Sequence, residues 1–138
     1  MSHNKADPSQ TQSRSTAAGA YDNNAQLLAS DQRELEARIL LKSNRMMQQL
    51  VTVWDERPED LLEETLKYNR QIWVLFYDTA IEGNDETARP EALRSNIINL
   101  ANFIFKREVD ILSSPAKEKI DILININHEI ASGLMNRA

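Results

Sequence analysis

No cysteine occurs among the 138 residues, so disulfides and thiolate chemistry are excluded. Glycine (3) and proline (4) are scarce, which leaves too little turn chemistry for a many-stranded sheet. Only two histidines are present, His3 near the N-terminus and an isolated His128, and His128 with Glu129 makes no metal-ligand set. A glycine-rich phosphate loop and a Gly-x-Ser-x-Gly nucleophile turn are both missing. Neither an enzyme nor a bound cofactor is expected from this inventory. Basic charge is short as well: 16 Lys and Arg stand against 21 Asp and Glu, giving a net charge of −5. Proteins that bind phosphate backbones are usually basic, so direct nucleic-acid contact is not expected. No apolar run approaches the ~20 residues of a membrane span, and no membrane insertion is expected. The N-terminus lacks the apolar core of a signal peptide, which argues against secretion by that route.

What the chain does have is helical periodicity. Apolar residues make up 41 % and recur in steps of three and four, in segments of helix length parted by short polar breaks. The expected fold is all-α: a small single-domain bundle of about four main helices with a disordered N-terminal tail. Residues 1–20 are rich in Ser, Thr, Gln and Asn and carry no large apolar side chain after Met1. They cannot bury enough surface to offset ordering, so they are expected as the tail, and residues 21–138 as the helical domain. Tyr21 to Ala29 is a short, weak helical candidate. Asp31 with Glu34 resembles a capping box and predicts a helix start. From there a stripe runs Leu35, Ile39, Met46, Leu50, Val53. Lys42 interrupts it and is expected to extend its charged end to water. Met46 is expected in the core and Met47 nearer the edge.

Asp55-Glu56-Arg57-Pro58 breaks the pattern, and Pro58 suits the first turn of a following helix. That helix carries the densest cluster of aromatic residues in the chain. One stripe runs Leu62, Leu66, Asn69, Trp73, Phe76, Ala80, and a second Leu61, Tyr68, Ile72, Leu75, Thr79. Together they cover more than the ~100° that a surface helix usually buries. One neighbour suffices for the first stripe. The second needs another, either the chain's own first helix or a partner docked at Tyr68, Ile72 and Leu75, with Arg70 as a polar anchor at the opposite edge.

Glu82 to Thr87 reads as a polar loop. Pro90 opens a third helix with the stripe Leu93, Ile97, Leu100, Ala101, Ile104, Ile111 and a neighbouring one at Ile98, Phe105, Val109, Leu112. Glu108 falls inside the main stripe and needs a partner if buried; Arg70 and Arg94 are candidates. Ser113-Ser114-Pro115 marks a stop and a restart. Isoleucines alternate from Ile120 to Ile126 as in a strand. The helical stripe Ala116, Ile120, Leu123, Asn127, Ile130, Leu134 is longer, and a lone strand would have no partner, so helix is expected. Asn69 and Asn127 lie on apolar stripes although Asn is a poor interior helix residue. With Glu108 they are expected to be structural polar groups of the core that fix helix register; contact with a bound client is the other reading. Asn96, Asn99 and Asn102 are expected to face solvent.

These elements, in this order, resemble the FlaF family of flagellar biosynthesis regulators over roughly Tyr21 to Leu134. The pieces are Arg33-x-x-Glu36, Tyr68-Asn69-Arg70-Gln71-Ile72-Trp73, Pro90-Glu91-Ala92-Leu93-Arg94 with Ile97 to Ala101, and Ile126-Asn127-His128-Glu129 running to Leu134. Family members often have Trp where Tyr68 stands, Pro beside Leu where this chain has Ala92-Leu93, and Arg where His128 stands. The resemblance implies a cytoplasmic protein that binds flagellin as a secretion chaperone and supports flagellin synthesis and export during flagellum assembly. It implies flagellin as partner, with FlbT and the flagellar export apparatus beside it. Flagellin termini are amphipathic segments that polymerise, and a helical protein with an apolar groove suits one. The rival reading is a post-transcriptional regulator of flagellin expression acting through FlbT or messenger RNA.

Overall fold

The computed structural model describes residues 10–82 and 89–136, and among them only helices and turns occur. Four α-helices follow one another: α1 (Gln10–Thr52), α2 (Leu61–Glu82), α3 (Glu91–Ser113) and α4 (Asp121–Met135). Short 3-10 turns at Trp54–Glu56 and Lys117–Ile120 precede α2 and α4. The fold is thus the all-α bundle that the periodicity predicts.

α1 departs most from the sequence reading. It is one continuous helix of 43 residues, ~64 Å long, rather than a start at Asp31 behind a separate short piece. Between Gln10 and Thr52 there is no proline and Gly19 is the only glycine, so nothing obliges a break. Asp31 and Glu34 therefore lie mid-helix, and Glu34 faces Arg38 at 3.9 Å in an i, i+4 pair instead of capping. Of the stretch expected as tail, residues 10–20 belong to α1 and residues 1–9 lie outside the described residues. The buried face of α1 also has a different phase from the predicted stripe. It runs Glu36, Ala37, Leu40, Ser43, Asn44, Met47, Leu50. Met47 is buried and Met46 only half-buried, the reverse of the expectation, while Leu35 is exposed.

α2 follows its first predicted stripe fully: Leu62, Leu66, Asn69, Trp73, Phe76 and Ala80 are all buried. Trp73 meets Phe76 edge to face with ring centroids 5.3 Å apart. The turn into α2 is closed by Arg57, which stacks on Trp54 at 4.1 Å and donates to its carbonyl at 2.7 Å. The Leu61 N–H bonds the Pro58 carbonyl at 3.1 Å, so Pro58 sits in the approach to the helix.

Pro90 precedes α3 with extended backbone, as its fixed φ favours. Ile97, Ala101, Ile104, Glu108 and Ile111 are buried, whereas Val109 and Leu112 of the neighbouring stripe are exposed. Of the loop expected at 82–87, Glu82 ends α2 and the remainder lies outside the described residues. Lys119 holds the α3–α4 turn by reaching Asp110 at 3.0 Å and the Ser114 carbonyl at 2.8 Å. Leu123, Asn127, Ala131 and Leu134 form the inner face of α4, with Ile120 of the preceding turn buried beside them, and no strand forms there.

α1 packs against α2 and α4, and α2 against α3. α4 lies along α1, where Asn44 donates to the Ile124 carbonyl at 3.0 Å, and reaches α2 through Asn127. The core is therefore shared by all four helices.

Candidate functional site

Where the four helices converge, the core holds a chain of polar groups. The Trp73 indole N–H donates to Asn127 Oδ1 at 2.9 Å. The Asn127 amide donates to Asn69 Oδ1 at 2.7 Å, and the Ser43 hydroxyl donates to the same oxygen at 2.9 Å. The Asn69 amide donates in turn to Glu108 Oε2 at 3.0 Å. Arg70 approaches Glu108 Oε1 at 3.4 Å. Ser43, Asn69, Trp73, Glu108 and Asn127 are all buried. α1 supplies Ser43, α2 supplies Asn69, Arg70 and Trp73, α3 supplies Glu108, and α4 supplies Asn127.

The arrangement has one sense: every donor points along the chain toward the Glu108 carboxylate, which accepts from both sides. Both lone pairs of Asn69 Oδ1 are used. Burial nonetheless pushes Glu108 up to about 7, from 4.5, because desolvation outweighs the bond from Asn69 and the charge of Arg70. The long contact to Arg70, which stays partly exposed, explains why that cation offsets burial only in part. Arg94, the other candidate, reaches the Arg89 carbonyl at 3.4 Å instead. The bonds of the network run between side chains of all four helices and tie them together.

A second buried polar contact joins the opposite end. Arg89, just before α3, pairs with Glu36 of α1 and lies over the Phe76 ring at 6.0 Å. Gln32 donates to the other Glu36 oxygen at 3.1 Å. The sequence singled out Glu36 only as part of a motif and gave no hint of Arg89. Ser43 and Asn44 were also missed, because small polar residues on an amphipathic helix read as solvent-facing. The single available signal was their spacing with Leu40, Met47 and Leu50.

The residues expected to meet a partner do not share one surface. Ile72 is buried, Tyr68 is half-buried beneath the Lys42 ammonium at 5.2 Å, and Leu75 is 55 % exposed. Arg70 lies on the other edge of α2, at Glu108. The neighbour of the second α2 stripe is α1. The two helices run antiparallel there, with Lys42 over Tyr68 and Ser43 bonded to Asn69. Leu35 lies two turns before Lys42 and Leu75 two turns after Tyr68, which places both at one level of the α1–α2 seam. Leu35 is 51 % exposed, so both leucines are open to solvent.

Asn96, Asn99, Asn102 and His128 face solvent. Among the described residues no group of three or more His, Cys, Asp or Glu could hold a metal ion. No helix among them is long and apolar enough to cross a membrane.

No curated protein and no solved structure matches the chain. The model of the flagellar protein FlaF family matches residues 17–134, from within α1 to the end of the buried face of α4. That match spans all four helices and both buried polar contacts, and the chain belongs to the FlaF family of flagellar proteins.

Proposed function

We propose that the chain works by binding rather than catalysis, as a cytoplasmic secretion chaperone that holds flagellin and supports its synthesis and export during flagellum assembly. FlbT and the export apparatus are its further partners in this reading. The family supports the flagellar setting. The observation that carries the binding role is the exposure of two leucines, Leu35 and Leu75, along the seam between α1 and α2. An apolar groove flanked by helices is the surface on which an amphipathic helix docks, and flagellin termini are expected to be of that kind. Tyr68 and Leu75 are the proposed contacts from the α2 side, Ile72 forms the floor beneath them, and Arg70 offers a polar group at the far edge.

The test is calorimetric titration of purified flagellin into the purified chain, with filter binding of flagellin messenger RNA alongside. Saturable binding with a negative heat-capacity change, the mark of apolar burial, is expected, with no retention of the RNA. Absent flagellin binding together with retained RNA would replace this reading with post-transcriptional regulation.

A further inference from the structure

Below the leucine pair the α1–α2 seam opens into a groove of about 390 Å³, lined by Lys42, Arg45, Met46, Gln49, Leu61 and Thr65. Its floor is apolar, from Met46 and Leu61, and its α1 rim is cationic. Lys42 and Arg45 are both exposed, and neither forms an ion pair among the described residues. Lys42 has only the Tyr68 ring beneath it. The chain carries a net charge of −5, so two adjacent unpaired cations over an apolar floor go against its general charge. Arg38, one turn further along the same rim, faces Glu34. The α2 side exposes Glu64, one turn before Tyr68, so the two rims differ in sign.

We infer that this groove seats an amphipathic helix of a partner protein, with its apolar face on Met46, Leu61 and Tyr68 and its carboxylates against Lys42 and Arg45. The inference rests on the binding reading above and names the chemistry of the bound segment. A helix fits because the groove lies between two helices and offers no open strand edge for an extended peptide. Carboxylates fit because the α1 rim supplies cations with no counter-charge of their own. The difference between the rims sets which edge of the bound helix faces α1. The chain is acidic as a whole, and at this rim two cations stand directly over an apolar floor, which favours the groove for an acidic amphipathic segment.

The experiment uses the full chain and two synthetic amphipathic peptides, each with leucines along one face, one with glutamates and one with lysines on the other. The glutamate peptide is expected to bind at least about tenfold more tightly, with an affinity that falls as salt is raised. Arg45→Glu, and Lys42→Glu with Arg45→Glu, are expected to weaken it about tenfold or more while melting as the parent chain does. Lys42→Gln with Arg45→Gln should give a smaller loss and keeps the test valid if charge reversal disturbs the Tyr68 contact. Equal binding of both peptides, or unchanged binding by the variants, overturns the inference. Flagellin binding that ignores Arg45→Glu overturns the groove and leaves the chaperone reading standing. No flagellin binding beside intact glutamate-peptide binding does the reverse. Sedimentation of the chain alone should show no self-association that Arg45→Glu abolishes; if it does, the occupant is a second copy and the inference fails.

Discussion

Asn69 is the residue on which the interior turns, because its amide touches groups from the three other helices. Asn69→Ala would strand the Ser43 hydroxyl, the Asn127 amide and the Oε2 oxygen of Glu108 at once, at a cost of about 3–5 kcal/mol. A denaturant midpoint near the parent value would show that the network is dispensable. Trp73→Ala should cost about 3–5 kcal/mol through the cavity and the lost bond to Asn127. Trp73→Phe keeps most of the bulk, strands only the Asn127 oxygen and should cost about 1–3 kcal/mol. Comparing the two melting curves separates packing from hydrogen bonding. Glu108 makes a prediction in pH. Its folded value is raised to about 7 above 4.5, so the folded state holds the proton more tightly than the unfolded chain. The resulting stabilisation is fully present below about pH 4.5 and is lost as pH rises through about 7. Glu108→Gln should remove that dependence. The difference in stability between parent and variant, followed across this range, should therefore change by a few kcal/mol and level off above about pH 7. A difference that stays flat would mean that Glu108 is ionised throughout.

At the scale of elements, α2 was legible and α1 was not, because their buried faces differ in how many polar groups they carry. α2 buries five apolar residues and one asparagine on its main stripe, so its period stands out. The inner face of α1 carries Glu36, Ser43 and Asn44 among its apolar residues. Those polar groups hide the true phase, and Leu35, Ile39 and Met46 offer a cleaner stripe that points partly at the seam. Lys42 was correctly read as reaching outward, but its place over Tyr68 depends on the packing of two helices. Asn69 and Asn127 could be flagged as odd for a helix interior, yet nothing in the sequence showed that they touch each other. The Glu36–Arg89 pair was equally hidden, since it joins residues far apart in the chain. It ties α1 to the entry of α3. Arg89→Met alone leaves the buried Glu36 carboxylate without its cation and should cost about 3–5 kcal/mol, whereas Glu36→Leu with Arg89→Met should recover much of that loss. A double-mutant cycle by denaturation measures the coupling; additive losses would mean that the two side chains act independently.

For the whole molecule, the polar interior and the open seam divide the labour. The interior takes up Asn69, Glu108 and Asn127, which looked chemically interesting, in bonds between α1, α2, α3 and α4. What remains for a partner is the surface that the core leaves uncovered. Along α1 and α2 this includes Leu27, Leu28, Leu35, Val74, Leu75, Ile81 and the groove at Lys42 and Arg45, of which Leu35, Leu75 and the groove lie along the seam. That division is the central claim. Amide chemical-shift mapping of the isotope-labelled chain during titration with flagellin tests it most directly. The account predicts that shifts concentrate along the seam, from Leu35 to Arg45 and from Leu61 to Leu75, with the exposed face of α3 at Asn99, Asn102 and Lys106 unmoved. Shifts centred on that face of α3, or on the outer face of α4 around His128 and Glu129, would contradict it.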